Sequence, residues 1–408
     1  MWYNRVSDFT EVPEMSKIVY FDNNATTQVA PEVREAMMPF FGELYGNPSS
    51  MHAFGGQVAA HVTKAREQVA AFLNCEPDEV LFTSCATESD NTALRGVADW
   101  YGKELKVITT AVEHPAVLQP SRRLKAQGHE VVELPVDGVG QIDLERLRAE
   151  LKGAKRALVS AMWANNETGT VFPIREIAGI AKEYGAVVHT DAVQAAGKAP
   201  LDMKKVPVDL LAISGHKFHA PKGVGVLFVR RGTKLKPFML GGHQEGGRRA
   251  GTENVPYIAG LAKACELAAA SMDAEAKQLA AMRDRLQAGI LAACPNVRVN
   301  GDQTRRLPNT LNVSFEYIEG EAIAYHLSDE GICISTGSAC ASGSLDPSHV
   351  IRAMGVPFIA VHGSIRFSLS RYNTMDEVDY VLEKLPPIVR HLRDLSPFGP
   401  DKDPTTYK

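Results

Sequence analysis

Ser214, Gly215, His216 and Lys217 stand between two apolar runs, 208–213 and 224–229, each of which reads as a strand. A lysine held beside apolar strands has its ammonium form disfavoured, so the free amine becomes available as a nucleophile or a base. The same stretch also suits a solvated loop, in which Lys222, after Pro221, is a second lysine. Four other places put polar residues just after an apolar run. Ser84, Ala86, Thr87 and Ser89 follow 80–83 and precede a helix expected from Asn91. Hydroxyls and backbone N–H groups there make an anion site or a plain helix cap. The Gly-Lys-Ser/Thr of a nucleotide loop is missing. His114 follows 107–110 and could stack on an aromatic ligand or move protons. Asn165 and Asn166 follow 157–162 and offer neutral hydrogen bonds, as turn residues also do. Asp191 follows 186–189, one of the most apolar runs, with Gln194 three residues on. A buried carboxylate there requires a cationic partner, either a protonated heterocycle nitrogen or an internal Arg or Lys.

The elements that must position these residues are legible as seven strands, 80–83, 107–110, 131–134, 157–162, 186–189, 208–213 and 224–229, separated by helical stretches. Pro173 suits a helix start, Ile174, Ile177 and Ala181 give one apolar face, and Gly185 suits the stop. Repeated βαβ units imply an α/β fold with a mostly parallel sheet covered on both faces, and such sheets bind ligands at the carboxyl ends of their strands. Near Ser271 the texture changes. A helical stretch over 275–291 is followed by strands at 297–300, 310–315 and 364–370, with a helix over 321–327. Thr374 and Glu377 form a capping-box pattern before a last helix, which Pro386 and Pro387 are expected to break. The expected division is a loose extension over 1–15, a large domain over 27–272, a smaller α+β domain from 16–26 and 273–395, and a polar tail over 396–408.

Composition narrows the function class. The 408 residues are 45% hydrophobic and 23% charged with a formal net charge of -4, as in soluble globular proteins, with no electrostatic call for nucleic acid or an anionic membrane. No apolar run approaches a membrane span, and residues 1–17 lack the apolar core of a signal peptide. Cysteines 75, 85, 265, 294, 333 and 340 show no repeated C-x-x-C spacing, which argues against a disulfide framework or a zinc ribbon and for a reducing cytoplasm.

Taken together, the strand ends offer sites for a phosphate, a ring face, a ring oxygen, a ring nitrogen and an amine, the handles of pyridoxal 5′-phosphate. At this point the chain resembles the cysteine desulfurases of the NifS/IscS family, fold-type I pyridoxal-phosphate enzymes related to class-V aminotransferases. The segments that carry the resemblance are 22–27 (DNNATT), 45–50 (YGNPSS), 189–194 (HTDAVQ), 214–217 (SGHK), 246–254 (GGRRAGTEN) and 335–340 (STGSAC), within a match over about 19–395. The resemblance implies that Lys217 bonds the cofactor covalently and Asp191 pairs with its ring nitrogen. His114 stacks on the ring and assists proton transfer, while Asn165 and Gln194 hold the ring and its oxygens. Ala86 (through its backbone), Thr87, Ser214 and His216 bind phosphate. Thr252 matches a threonine that reaches the neighbouring subunit's phosphate, so a homodimer is implied. Arg366 would bind the substrate carboxylate, with Asn165 and Asn23 beside the substrate.

Cys340 lies among Gly337, Ser338, Ala341, Ser342, Gly343 and Ser344, small residues that let a segment over about 333–346 travel. The resemblance makes it the thiolate that takes sulfur from L-cysteine, leaving L-alanine and a persulfide for a NifU- or IscU-like iron–sulfur scaffold. On that scaffold Cys340 would act as a transient cluster ligand. Cys333, between Ile332 and Ile334, reads as a core strand residue instead. The 241–244 and 343–349 segments look closer to the nitrogenase-associated NifS branch than to housekeeping IscS. Selenocysteine lyase and aminotransferase are the rival activities, neither of which needs a mobile thiol at this point.

Overall fold

In the computed structural model, which describes residues 18–336 and 347–399, the strands are β1 Val19–Tyr20, β2 Val80–Thr83, β3 Leu105–Thr110, β4 Val131–Leu134, β5 Arg156–Ser160, β6 Val187–Asp191, β7 Leu210–Ser214, β8 Gly225–Val229, β9 Val297–Asn300, β10 Thr310–Phe315, β11 Ile332–Cys333, β12 Ser335–Thr336 and β13 Ser364–Ser368. Seven of them form one sheet in the order β2-β8-β7-β6-β5-β3-β4. Every pairing not involving β8 is parallel, and β8 runs against both its neighbours.

Alternation within these strands explains the layers, because successive side chains leave a strand on opposite faces. Val80, Phe82, Val159, Val188, Leu211 and Val226 pack with helices Ala53–Leu73, Ile174–Glu183 and the first half of Val255–Ala293. Leu81, Val107, Leu158, Leu210 and Leu227 pack on the other side with helices Ala86–Tyr101 and Pro115–Ala126. Both faces are covered, so the strands read as continuous apolar runs.

A second sheet, ordered β12-β13-β10-β9, is antiparallel, and β1 pairs in parallel with β11. Val19, Phe21, Val313, Phe315, Ile365 and Phe367 form a second core with Leu279, Met282, Leu286 and Ile290 of the Val255–Ala293 helix. β1 and Phe21 thus share a core with the Met375–Leu395 helix. From Asp22, bridged to Ser368, the chain crosses to the large sheet at Asn24 and Ala25.

Three expectations change. The helix after β2 begins at Ala86 rather than Asn91, which puts Ala86 and Thr87 in its first turn. The helix expected over 275–291 spans 39 residues, from Val255 to Ala293. Pro386 and Pro387 do not break the last helix, which runs from Met375 to Leu395 behind the expected Thr374–Glu377 capping box. The stripe Val378, Val381, Leu385 and Val389 stays buried in the second core on both sides of the prolines. That packing keeps the helix continuous through the missing hydrogen bonds.

Candidate active site

At the carboxyl ends of β2, β3, β5, β6 and β7 lies a cavity of about 350 Å³, lined among others by Ala86, Thr87, His114, Asp191, Gln194, Ser214, His216, Lys217 and Arg366. Parallel strands ending together bring the residues from Ala86 to Lys217 to one place, and Arg366 joins them from outside that sheet.

Lys217 follows β7 in a single helical turn and is half-buried. Its Nζ donates to the carbonyls of Asn24 at 2.7 Å and Ala25 at 2.8 Å. Lys198, which the sequence did not single out, stands behind it and donates to the carbonyls of Gln194 and Lys217 and to Gln194 Oε1. Burial, and then the Lys217 charge, lower the Lys198 ammonium to about 7. Gln194 Nε2 donates to the Asn24 carbonyl, so both ends of its amide are fixed.

The helix Ala86–Tyr101 begins with no side chain capping its first turn, so its leading N–H groups, near Ser214 and His216, are open to an anion. Gly225 makes this approach workable, since a Cβ there would lie 2.8 Å from the Cys85 carbonyl carbon. His216 Nδ1 is 3.2 Å from Thr26 Oγ1, and burial followed by nearby lysines lowers its imidazole to about 4.

Asp191 ends β6 with its carboxylate buried, and Oδ1 accepts from the Val193 N–H at 2.9 Å. Burial raises its carboxyl to about 6, against the lowering field of Lys217. An anion placed so has a use if a cationic ring nitrogen meets it. His114 caps the helix Pro115–Ala126, its Nδ1 accepting from the Ala116 N–H at 3.1 Å. Burial, then Lys217 and His349, lower it to about 4. A neutral imidazole accepting at Nδ1 carries its proton at Nε2, so the ring offers the cavity a hydrogen-bond donor.

Arg366, on β13, reaches the same cavity from the second sheet. Its Nη2 pairs with Asp22 at 2.7 Å and Nη1 donates to the Asn166 carbonyl at 3.0 Å, while the buried Nε has no hydrogen-bond partner among the described residues. The fork therefore has N–H groups left for an incoming carboxylate.

At two places the residue next to the expected one lines the cavity. Asn165 is 1% exposed and spends its amide on the carbonyl of Val112 and the sulfur of Met162, and its carbonyl on the N–H groups of Glu167 and Thr168. It builds the turn, and Asn166 lines the cavity. Asn23 donates to the carbonyls of Tyr20 and Ser368 and to Asn373, whereas Asn24 lines the cavity. Thr252 lies apart, in a separate hollow of about 140 Å³ with Ser84, Glu245 and Arg249. The salt bridge Arg249–Glu88 holds that segment against the first turn of the Ala86–Tyr101 helix, and Arg66–Glu245 ties it to the helix Ala53–Leu73. Cys340 falls outside the described residues. Cys333 ends β11, half-buried, with its thiol raised by burial and by Asp22.

Pyridoxal phosphate fits this set of groups on structural grounds. An uncapped helix start suits its phosphate, a buried carboxylate its ring nitrogen, a flat imidazole its ring, and a lysine amine its aldehyde. Among the described residues no cluster of His, Cys, Asp or Glu could hold a metal ion, and no helix is long and apolar enough to cross a membrane.

The model of the aminotransferase class-V family matches residues 19–381. A cysteine desulfurase of Trichormus azollae is 57% identical over 385 residues, 94% of this chain and 96% of that protein. Cysteine desulfurase NifS of Azotobacter vinelandii is 54% identical over 391 residues, 95% and 97% of the two chains. A solved NifS-like protein superposes with a TM-score of 0.87 at 42% identity, covering 92% of this chain and all of the other. With the lysine, carboxylate and uncapped helix at one cavity, these likenesses leave one assignment: the chain belongs to the aminotransferase class-V family, among its cysteine desulfurases.

Proposed function

We propose that the protein takes sulfur from L-cysteine, with pyridoxal phosphate, and leaves L-alanine and a persulfide on Cys340. The observation that carries this reading is the convergence of Lys217, Asp191, His114 and Arg366 on one cavity at the strand ends.

Bound here, pyridoxal phosphate supplies an electron sink for the pair left when the substrate Cα loses its proton. The leading N–H groups of the Ala86–Tyr101 helix, with Thr87, Ser214 and His216, hold the phosphate. Asp191 opposes the ring nitrogen's positive charge and so keeps its proton in place. Gln194, braced by Lys198, and Asn166 orient the ring edge. Arg366 binds the substrate carboxylate, which aims the Cα proton toward the Lys217 amine, the local base. His114 covers the ring and offers its Nε2 proton to the reacting side. Cys340, as thiolate, attacks the substrate sulfur. The carbon–sulfur bond breaks, its electron pair stays on the substrate Cβ and takes up a proton there, and the Lys217 ammonium returns the proton it took from Cα, which completes alanine.

The same reading extends to a homodimer in which Thr252 serves the partner's phosphate site, a suggestion supported by its distance from this chain's own cavity. It also extends to delivery of the sulfur to an iron–sulfur scaffold of the nitrogenase-associated type, supported by the likeness to the Azotobacter vinelandii protein. L-cysteine with a reductant should give sulfide and alanine in equal amounts, and Cys340→Ala should stop both. Alanine formation undiminished in that variant would sink the persulfide step.

A further inference from the structure

Beside Asp191, at the edge of the same cavity, lies a buried group that the reaction as described does not use. Asp90, on the second turn of the helix Ala86–Tyr101, and His189, two residues before Asp191 on β6, both have fully buried side chains. The two-residue spacing puts His189 and Asp191 on one face of the sheet. The β5–β6 register sets Ser160 opposite His189, and Ser160 Oγ is 2.8 Å from His189 Nδ1. His189 Nε2 is 3.3 Å from Asp90 Oδ1. Neither that nitrogen nor either Asp90 oxygen has a hydrogen-bond partner among the described residues, so each has only the other to answer it.

Three buried carboxyls meet here: Asp90 from the helix, Asp191 from β6, and Glu113 from the turn after β3, with Cys85 at the helix start. Ionising all three without matching cations is prohibitive at this burial. Lys217 favours ionisation of Asp191. Burial, then the fields of Asp191, Glu113 and Cys85, raise Asp90 well above the usual carboxylate range, and burial lowers His189 to about 3. We propose that Asp90 and His189 share one proton and form a neutral buttress beside Asp191, leaving Asp191 the only anionic carboxylate offered to the cofactor's ring nitrogen. In this arrangement the Asp90 hydroxyl donates to Nε2 and Nδ1–H donates to Ser160. Asp90 and His189 are positioning residues, and their role rests on the reading of Asp191 given above.

The test uses the full chain, with two readouts apart from turnover. They are the cofactor dissociation constant by equilibrium dialysis and the pH midpoint of the bound cofactor's visible absorption. Asp90→Asn keeps the size, neutrality and donor, so affinity should stay within about threefold of the parent and the midpoint should hold. Asp90→Leu keeps the branched shape, with somewhat greater bulk, but strands Nε2, and should weaken binding by about tenfold and displace the midpoint. An Asp90→Asn that falls as far as Asp90→Leu would show that a charge is needed and overturn the proposal. An Asp90→Leu that matches the parent in both readouts would overturn it as well. Should Asp90→Leu not fold, Asp90→Asn decides alone, because a displaced midpoint refutes and an unmoved one supports. Asp191→Asn is the control. Parent-like binding and midpoint there would remove the Asp191 reading itself, whereas a strong Asp191→Asn effect beside an inert Asp90→Leu removes only the buttress.

Discussion

Replacing Arg366 by Gln should separate recognition of the substrate's carboxylate from everything else the cavity does. The guanidinium side chain is 7% exposed and is braced by Asp22 and the Asn166 carbonyl, so it is held ready rather than free to search. A carboxylate taken by this fork gains two hydrogen bonds to a charged group, each worth roughly 1.5–3 kcal/mol. Their loss corresponds to about 10²–10⁴ in kcat/KM. Asp22, 21% exposed at its side chain, can rehydrate when Arg366 is gone, so little penalty arises from leaving it alone. Arg366→Gln should therefore lower kcat/KM for L-cysteine by about 10³-fold, largely through KM, while cofactor affinity stays near the parent value. L-cysteinamide, which lacks the carboxylate, gives the control. The parent should prefer the acid strongly, and the variant should lose most of that preference. A variant that still discriminates acid from amide as the parent does would refute the argument, whatever its absolute rate.

Three further outcomes follow from groups in or beside the cavity. His114, lowered to about 4 by burial, remains neutral down to that pH, so kcat/KM should show no inflection near the ordinary imidazole value of about 6.5. His114→Gln should lower kcat by about 10²-fold in a pH-rate series, and a limb near 6.5 that disappears in this variant would contradict the reading. Gly225→Ala pushes a Cβ against the Cys85 carbonyl carbon and so displaces the start of the phosphate-side helix. Cofactor binding measured by dialysis should weaken by about tenfold, and parent-like affinity would show the helix start free to yield. Glu113, fully buried, is raised to about 8 by burial, so the folded chain keeps a proton that the unfolded chain gives up. Its contribution to stability is complete below about 4.5 and is lost as pH rises through about 8. Thermal scans should show Tm falling over that upper range, and Glu113→Gln should flatten the fall.

The sequence made the sheet legible because both faces are covered, and each strand therefore appears as an apolar run that ends sharply in polar residues. Lys217, Asp191 and His114 meet at one cavity for that reason: each stands at such an end. Asparagine pairs were read less well. Asn165 and Asn166, and likewise Asn23 and Asn24, have the same chemistry one residue apart, and only the turn's backbone decides which side chain faces inward. Lys198 gave no signal because it follows a turn rather than a strand. Asp90 and His189 lie inside apolar surroundings that periodicity assigns to core. The last helix was expected to stop because local propensity at Pro386 and Pro387 says so, and the buried stripe around them overrode it.

The helix Val255–Ala293, about 58 Å long at the usual rise, works mechanically as a beam clamped at both ends. Its first half is embedded under the large sheet and its second half in the other core, while the span between Ala268 and Leu279 has no buried side chain. Any tilt of one sheet relative to the other must flex that span. The clearance between the Arg366 guanidinium and the Lys217 amine thus depends on the bending stiffness of that helix together with direct ties such as the Arg366–Asn166 hydrogen bond. Substitutions on the helix's solvent-facing middle, far from any substrate atom, are where that clearance could be reset.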